Sequence, residues 1–376
     1  MDIFNKALKE HKKYKGKMEI VSRVPLDTKE DLSTYYSPGV AAVATHLAKF
    51  PEQTNLYTNT HNSVAIVSDG SAVLGLGNIG PEGALPVMEG KAILFKKFAN
   101  IDGYPIVLNT QDPNEIINIV TAIAPSFGGI NLEDISAPNC FYIEDQLKKR
   151  LSIPIMHDDQ HGTAVVVLAG LINACKVTNR NLHDSKVVLI GAGAAGVAIA
   201  KLLYQYAKPN IIAIDTKGVI TKKRKNLSPE KLILSSYSQD STATDLKESL
   251  KGADIFIGVS KSNLLSKKMI QSMAKNPIIF ALANPNPEIT PTDAINAGAA
   301  VVATGRSDYP NQVNNVLAFP GLFRGALDTQ STINESHKLA AAEAIANIIK
   351  SPTKTQIIPS PFDKNVVKVV AAVYKK

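Results

Sequence analysis

Two pairs of adjacent carboxylates are the side chains of this chain best suited to hold a cation. Glu133-Asp134 and Asp158-Asp159 each follow an apolar or glycine-bearing stretch. Neighbouring side chains of a strand point to opposite faces, so both members of a pair face one site only at a strand end or a turn. Converging carboxylates repel one another unless a cation lies between them, and ligation by oxygen alone selects Mg²⁺ or Mn²⁺ over zinc. From spacing alone, an acidic pair at the surface is the more ordinary interpretation.

Lys91 and Tyr36 are side chains that could move protons. The apolar run Ala92–Phe95 after Lys91 predicts that this lysine opens an amphipathic helix. The helix dipole opposes a cation near its N-terminus, which would lower the pKa of Lys91 toward the range of a general base. Tyr36 precedes a Ser-Pro-Gly turn that would hold it rigidly. Without further context, an exposed lysine and a packed tyrosine are the ordinary interpretations.

A glycine motif predicts a dinucleotide site. Gly191, Gly193 and Gly196 follow a short β-branched strand, Lys186–Ile190, and precede a helical pattern. About 19 residues after the last glycine, a second apolar run ends in Asp215. This arrangement is the βαβ fingerprint, in which the pyrophosphate lies on the helix N-terminus and the acidic residue meets a ribose hydroxyl. Within it, the glycines allow the tight turn, the approach of the pyrophosphate and the close packing of helix on strand.

A second GxGxxG motif, at Gly75, Gly77 and Gly80, has a different context. Pro81 and Gly83 stand where a helix should begin. We therefore interpret this copy as a glycine-rich loop and not as a second nucleotide site.

Two asparagines could orient a ligand. Asn284 ends the apolar run Ile278–Ala283, and ligands of doubly wound sheets bind outside the carboxyl ends of the strands. Asn315 lies beyond the next strand, shortly before Phe319. Turn chemistry alone would also explain both residues.

These residues require an α/β scaffold to position them. From about residue 180 the chain alternates short apolar strands with helical or polar stretches, which is typical of a doubly wound parallel sheet. The strands are expected at Val187–Ile190, Ile211–Ile214, Ile255–Val259, Ile278–Leu282 and Ala300–Thr304. We predict an N-terminal α/β substrate domain at 1–155. A Rossmann-type domain with C-terminal helices is predicted at 156–376.

Composition limits the class of protein. The 376 residues are 45% hydrophobic and carry a net charge of +8, with scattered lysines and no tryptophan, so no nucleic-acid partner is expected. The N-terminus has no secretory signal pattern, and no run approaches the ~20 apolar residues that span a bilayer. Two cysteines cannot make a disulfide framework. We expect a soluble cytoplasmic protein without a membrane partner.

Taken together, the segments that carry chemistry resemble those of the malic enzymes in their short bacterial form. The resemblance covers roughly residues 20–330, and its motifs occur in the family's order. They are Tyr36-Ser37-Pro38-Gly39-Val40, Gly75-Leu76-Gly77-Asn78-Ile79-Gly80, Pro86-Val87-Met88-Glu89-Gly90-Lys91, Asn131-Leu132-Glu133-Asp134, His157-Asp158-Asp159-Gln160-His161-Gly162-Thr163-Ala164 and Ala283-Asn284-Pro285. An ordered set is far more specific than one motif, so it favours the functional interpretation of each residue.

The resemblance implies oxidative decarboxylation of L-malate to pyruvate and CO₂, with reduction of a nicotinamide cofactor. Lys91 would take the proton of the C2 hydroxyl as hydride leaves for the nicotinamide, and Asp158 would hold or tune that lysine. Tyr36 would protonate C3 of enolpyruvate. The family also implies a homodimer or a larger homo-oligomer.

The resemblance assigns the remaining polar residues as ligands. Glu133, Asp134 and Asp159 would hold Mg²⁺ or Mn²⁺, which would act as a Lewis acid on the C2 oxygen. Asn284 and Asn315 would orient malate and the nicotinamide amide.

One position departs from the wider family. Longer malic enzymes carry an arginine just before the Leu-Gly-Leu-Gly segment to grip a substrate carboxylate, and the aligned residue here is Ala72. Either another cation replaces it, with Lys91, Lys96 or Lys97 as candidates, or malate is held mainly by the metal and the asparagines.

Cofactor choice is only partly encoded. Asp215 should accept a hydrogen bond from the adenosine 2′-hydroxyl and repel a 2′-phosphate, which favours NAD⁺. Lys217 and the basic run 222–225 could instead neutralise a phosphate, so NADP⁺ stays open.

Two other classes of protein also stay open. An NAD-dependent amino-acid dehydrogenase shares the two-domain plan and uses a lysine, but it has no need of the carboxylate cluster. A non-catalytic nucleotide sensor would need neither Lys91 nor Tyr36.

Overall fold

Two parallel sheets carry the chain in the computed structural model, which describes residues 2–73, 75–239 and 241–375. The first sheet has the strand order β2-β1-β3-β4, and all of its strands are parallel. Its strands are β1 Ser63–Ser68, β2 Asp102–Val107, β3 Gly129–Leu132 and β4 Ile155–His157. Because β1 has neighbours on both sides, the chain winds in opposite directions from it. This reversal creates a switch point at the carboxyl ends of β1 and β3.

The second sheet has the order β10-β9-β8-β5-β6-β7, and only the pair β6–β7 is antiparallel among the described strands. Its strands are β5 Lys186–Ile190, β6 Asn210–Asp215, β7 Gly218–Val219, β8 Ile255–Gly258, β9 Ile278–Ala281 and β10 Val301–Thr304. The five parallel strands follow the doubly wound order, with the switch point between β5 and β8. The prediction of an α/β fold with a Rossmann-type sheet is confirmed, and all five expected strands form.

Helices cover the faces of both sheets. They are α1 Ile3–Tyr14, α2 Lys29–Tyr35, α3 Val40–Lys49, α4 Thr54–Tyr57, α5 Gly80–Ala99, α6 Pro113–Ile123, α7 Asn139–Arg150, α8 Asp158–Thr178, α9 Ala194–Ala207, α10 Pro229–Tyr237, α11 Leu246–Leu250, α12 Lys267–Gln271, α13 Pro291–Asn296, α14 Phe319–Thr329, α15 Glu335–Ala346 and α16 Asn365–Ala371. The expected C-terminal helices are thus α15 and α16.

Helix α8 follows β4 directly and belongs to both halves of the molecule. It is apolar on nearly all sides, and most of its residues are buried, as expected of a helix packed inside a protein. By length and composition α8 could cross a membrane, but a buried core helix passes the same test. Its apolar side chains join one core with those of β1, α5, β5 and α9.

The packing of α5 on α14 also crosses between the two halves. The ring of Phe95 lies 4.7 Å from that of Phe319 and 5.4 Å from that of Phe323, in edge-to-face geometry. The predicted domain boundary at residue 155 coincides with the first residue of β4, and it stays a prediction.

The N-terminal helices differ from the rest of the molecule. Within the described chain, no residue of α1–α4 is buried. Their exposed apolar side chains include Phe4, which is 71% exposed, and Leu8. Further along, Lys17 donates to the carbonyl of Pro86, which ties this segment to α5.

One sequence argument was wrong. Pro81 and Gly83 were expected to prevent a helix, yet α5 begins at Gly80. Proline is favoured in the first helical turn, because its missing N–H would have no partner there and its φ is already helical. The second glycine motif therefore does lie between a strand and a helix, separated from β1 by the long loop after Ser68.

Candidate active site

All of the predicted catalytic and metal residues except Tyr36 meet at the carboxyl edge of the first sheet. Glu133 and Asp134 follow β3, and Asp158 and Asp159 form the first turn of α8 after β4. Because β3 and β4 are parallel neighbours, both acidic pairs reach the same edge. The strand-end geometry that two adjacent carboxylates require is therefore present twice.

Lys91 lies at the centre of this edge. Its Nζ is 2.6 Å from Asp158 Oδ2 and 2.7 Å from Glu133 Oε1, and it lies 4.3 Å from the centroid of the Phe319 ring. The lysine is only 7% exposed. Burial would lower the pKa of Lys91, but the two carboxylates outweigh burial and raise the pKa above its usual value.

The predicted placement of Lys91 at a helix start was wrong. Lys91 is the twelfth residue of α5, well beyond the first turn where the dipole acts. The expected lowering of its pKa was wrong as well, since the nearby charges are carboxylates. What positions the lysine is the length of α5, which carries it from the glycine loop to the strand ends.

The two carboxylates beside Lys91 are unusual. Burial raises the pKa of Asp158 to about 6, even though Lys91 opposes the change, and Asp158 is 0% exposed. Burial also raises the pKa of Glu133, and the nearby charge of Asp159 adds to the effect. Asp158 Oδ1 is buried and accepts no hydrogen bond from the described residues. The pKa of Asp158 lies close to neutral pH, so this carboxyl can hold either a proton or a charge there, as acid–base catalysis requires.

Glu133, Asp134 and Asp159 converge as a candidate cation site. One oxygen from each lies within 4.8 Å of the others. The backbone N–H of Asp134 donates to Asp159 Oδ2 at 2.8 Å, and Asp134 has a φ of 53°, which lets two adjacent acids turn to one point. Three carboxylates without a nitrogen or sulfur donor fit Mg²⁺ or Mn²⁺.

The sequence analysis missed Asn131. Its Nδ2 donates to Glu133 Oε2 at 2.8 Å and so orients that carboxylate. The signal was present, because residues two apart on a strand share a face.

Tyr36 is not brought to this cluster. It ends α2 and is 68% exposed. The described groups that contact Lys91 Nζ come from α8, α14 and the residue after β3, and none comes from the N-terminal helices. The assignment of Tyr36 as the general acid stays a prediction.

The two predicted asparagines lie on the second sheet's side of the site. A Cβ added to Gly162 would lie 1.8 Å from Asp158 Oδ1 and 3.1 Å from Asn315 Cβ, so Asn315 borders the Asp158 carboxylate. A Cβ added to Gly75 would lie 2.4 Å from the carbonyl oxygen of Asn284, so the glycine loop packs against Asn284.

Lys96 and Lys97 do not face the catalytic edge. Lys96 Nζ lies 2.8 Å from Asp102 Oδ1 at the start of β2, which is the amino edge of the sheet. Lys97 lies in the same exposed last turn of α5. Lys91 is the one of the three candidate cations that lies at the site.

The dinucleotide motif has its expected shape. Gly191 has a φ of 117°, and a Cβ on Gly196 would lie 1.8 Å from the Gly191 oxygen. Apart from its neighbours in the chain, no described residue has an atom within 4 Å of a Cβ added to Gly193, which leaves room for a phosphate at the start of α9. Both tight positions therefore require glycine for packing, whereas Gly193 leaves space.

Asp215 ends β6 but is already paired. Arg224 makes a two-pronged contact with its carboxylate at 2.8 Å for each nitrogen, and Lys231 Nζ lies at 2.9 Å. Burial would raise the pKa of Asp215, but these cations and the N–H of Lys217 lower it to about 2. Arg224 belongs to the predicted basic run, whereas Lys231 was missed because it comes from the next helix.

Comparison with known proteins gives a consistent result over the whole chain. The family profile "Malic enzyme, N-terminal domain" matches residues 15–148, and "Malic enzyme, NAD binding domain" matches residues 160–376. The bifunctional malic/malolactic enzyme of Bacillus subtilis is 53% identical over 381 residues, covering 100% of this chain and 93% of the relative. The NAD-dependent malic enzyme of Geobacillus stearothermophilus is 53% identical, covering 96% and 77%. The crystal structure of the NAD-dependent malic enzyme of Thermotoga maritima has a TM-score of 0.95 at 50% identity, covering 98% of each chain.

Proposed function

Because the chain belongs to the malic enzyme family, we propose that it catalyses the oxidative decarboxylation of L-malate to pyruvate and CO₂ with reduction of NAD⁺ or NADP⁺. The observation that supports this best is the contact of Lys91 Nζ with both Asp158 and Glu133. Glu133 also belongs to the three-carboxylate cluster, so the proton-transfer group and the cation site share a residue. Oxidation of a hydroxy acid needs both a group that takes the hydroxyl proton and a cation that polarises the hydroxyl oxygen.

A residue of this chain is assigned to each proton transfer of the reaction. Lys91, once it has passed a proton to Asp158, takes the proton of the C2 hydroxyl while the C2 hydride passes to the nicotinamide, which leaves a ketone at C2. The C3–C4 bond then breaks, CO₂ leaves, and the electron pair of that bond remains in the enolate of pyruvate. Tyr36 donates a proton to C3. Asp158 holds Lys91 Nζ at the substrate, and its raised pKa suits it to share that proton.

The donor set supports Mg²⁺ or Mn²⁺ as the resident ion. Glu133, Asp134 and Asp159 would hold it, and Asn131 would keep Glu133 turned toward it. When bound, the ion supplies Lewis-acid polarisation of the C2 oxygen. Asn284 and Asn315 complete the pocket as the groups that orient malate and the nicotinamide amide.

We propose NAD⁺ as the preferred cofactor, with NADP⁺ accepted. Gly191, Gly193 and Gly196 would cradle the pyrophosphate, and the Asp215 carboxylate lies where the adenosine ribose is expected. Arg224 and Lys231 both contact the Asp215 carboxylate, so the three side chains together carry a net positive charge. A 2′-phosphate would therefore meet less repulsion than a lone aspartate would cause.

We further propose a cytoplasmic homodimer or larger homo-oligomer. The exposed apolar side chains of α1–α4 form a surface that water solvates poorly, and contiguous apolar patches often mark interaction sites. Tyr36 lies in this N-terminal segment. A second copy packed on the segment would remove its apolar side chains from water and take Tyr36 out of solvent.

The test is a spectrophotometric assay with L-malate and Mn²⁺, in which NAD⁺ and NADP⁺ are supplied in parallel and a chelator serves as the control. We expect chelator-sensitive growth of reduced nicotinamide absorbance with stoichiometric pyruvate. Lactate is assayed as well, because the Bacillus subtilis relative is named bifunctional. No reduction by folded, metal-loaded protein would reject the proposal, and reduction with an amino acid instead would support a dehydrogenase of that class.

A further inference from the structure

A buried chain of polar side chains joins α7, α8 and α15 behind the catalytic edge. His161 Nε2 lies 2.8 Å from Glu144 Oε2, and Lys338 Nζ lies 2.9 Å from His161 Nδ1. Lys338 Nζ is also 2.8 Å from Glu335 Oε1; burial lowers the pKa of Lys338, and this ion pair opposes the change and favours the ammonium form. An ammonium can only donate, so Nδ1 accepts and Nε2 carries the proton given to Glu144. The chain therefore fixes one tautomer of His161.

Glu144 connects this chain to the catalytic segment. Its Oε1 accepts the backbone N–H of His157 at 3.1 Å. His157 is the last residue of β4, and Asp158 and Asp159 follow it directly. The first N–H groups of a helix have no partner inside the helix, so the negative charge of Glu144 is well placed there. One carboxylate thus holds the backbone at the residue that precedes the catalytic acids.

The other end of the chain reaches the dinucleotide helix. Glu335 Oε1 lies 3.2 Å from Lys201 Nζ on α9. The polar contacts therefore run from the helix behind the glycine motif to the start of α8.

Stability alone does not explain this arrangement. Lys338 is 2% exposed, and Glu144 and His161 are also buried. Replacing a buried charge pair by apolar side chains is often neutral or stabilising, because desolvation costs about as much as the attraction gains. Directional contacts fix geometry, which apolar packing does less well.

We propose that Glu144, His161 and Lys338 are positioning residues that hold the first turn of α8, and with it Asp158 and Asp159, in place beside Lys91. The roles of these two aspartates rest on the proposed function. The positioning itself is a property of the backbone and can be measured without turnover.

The test compares Lys338→Met with Lys148→Met as a matched control. Lys148 contacts the same carboxylate, Glu144 Oε1, at 2.8 Å, but its side chain is half-buried. We expect Lys338→Met to accelerate amide hydrogen exchange in residues 157–161. It should also weaken Mn²⁺ binding about 10–100-fold, the usual effect of losing a partner behind a metal ligand. The control should leave both within about twofold, as expected for a partly solvated ion pair. NAD⁺ affinity should be retained in both variants.

The double variant Glu144→Gln/Lys338→Met covers the case in which the single variant does not fold. It removes both charges together, so no buried carboxylate is left unpaired. We expect it to fold and still to show faster exchange at residues 157–161.

Three results decide the matter. Unchanged exchange at 157–161 in the folded variants would overturn the proposal. Faster exchange throughout both sheets, with NAD⁺ and Mn²⁺ binding lost together, would show general destabilisation and would overturn it too. If the wild-type protein binds no Mn²⁺, the cation site of the proposed function fails, but the exchange result still decides the positioning role.

Discussion

Lys91 is held between two buried carboxylates that both need its charge. Asp158 and Glu133 have raised pKa values in spite of the lysine, because each is removed from water. Taking away one member of a buried charge cluster leaves the others uncompensated. The same charge of Lys91 serves the proposed proton transfer and balances the two carboxylates. Turnover reports the first role, and protein stability reports the second.

We expect Lys91→Met to reduce kcat about 10²–10⁴-fold, the range for loss of a positioned acid–base group. The Kd for NAD⁺, measured by fluorescence, should not change, because Lys91 Nζ contacts Asp158, Glu133 and the Phe319 ring and not the glycine motif. Lys96→Met, on the exposed last turn of the same helix, is the matched control and should keep wild-type turnover. Loss of NAD⁺ binding in folded Lys91→Met would contradict this separation of roles.

Asp215 offers a second test at this scale. In Asp215→Asn, Arg224 and Lys231 lose their carboxylate and become available to a phosphate. We expect kcat/KM for NADP⁺ relative to NAD⁺ to rise at least about tenfold, which is about 1.4 kcal/mol. Steady-state kinetics with both cofactors measure the ratio, and an unchanged ratio would remove Asp215 from cofactor choice.

The same aspartate should also make stability depend on pH. Its pKa in the folded protein is about 2, below the ordinary aspartate value of 3.8, so the pairing stabilises the fold above about pH 4. This contribution, up to about 2 kcal/mol, should fall away as the pH drops from about 4 toward 2. Urea unfolding of the wild type and Asp215→Asn at pH 6 and pH 3 should show a smaller difference at the lower pH. A gap that stays constant would mean that the pair contributes no net stability.

At the scale of elements, the glycines between β5 and α9 are needed for two different reasons, which are helix packing and space for the pyrophosphate. Gly196 needs the absence of a Cβ so that α9 can pack on Gly191, whereas Gly193 has space beside it. The first reason concerns folding, and the second concerns the approach of the pyrophosphate.

We expect Gly196→Ala to lower the melting temperature and to abolish NAD⁺ binding, because the added carbon meets backbone oxygen. Gly193→Ala should keep the wild-type melting temperature and lose NAD⁺ affinity alone. Differential scanning fluorimetry and NAD⁺ titration separate these results. An equal thermal loss in both variants would refute the distinction.

Local pattern predicted the elements of the second sheet well, since five short apolar strands and the acidic strand end are encoded within a few residues. The start of α5 was predicted wrongly. Proline interrupts a helix when it lies in the middle but is favoured in the first turn, which is where Pro81 lies. The partners of Lys91 could not be derived from spacing, since Asp158 is 67 residues away and only the parallel pairing of β3 with β4 brings the acids together. The family resemblance supplied that grouping. The Glu144–His161–Lys338 chain had no signal in the sequence, because its members lie on three helices.

At the scale of the whole molecule, the N-terminal helices are the part least explained by the single chain. Ile3, Phe4 and Leu8 are all at least 68% exposed on one helix. Residues four apart share a helical face, so Phe4 and Leu8 form an apolar stripe that no described residue buries, and Ile3 is a further exposed apolar side chain next to Phe4 in the chain.

We expect the purified protein to sediment as a dimer or larger assembly, and Phe4→Glu/Leu8→Glu to shift it toward the monomer. Analytical ultracentrifugation across a range of concentrations measures the shift. Lys12→Gln/Lys13→Gln lowers the charge of the same helix by the same two units and controls for net charge. An unchanged mass distribution in the apolar variant would exclude this stripe as the interface.

Helix α8 has a consequence for how the chain folds. Its amino end carries Asp158 and Asp159 at the edge of the first sheet, and its apolar side chains lie in a core shared with the second sheet. If either sheet came apart, the helix would expose apolar side chains that the other sheet cannot cover alone. The two halves are therefore thermodynamically one cooperative unit, and loss of the dinucleotide half would dismantle the acid–base cluster as surely as a substitution within it.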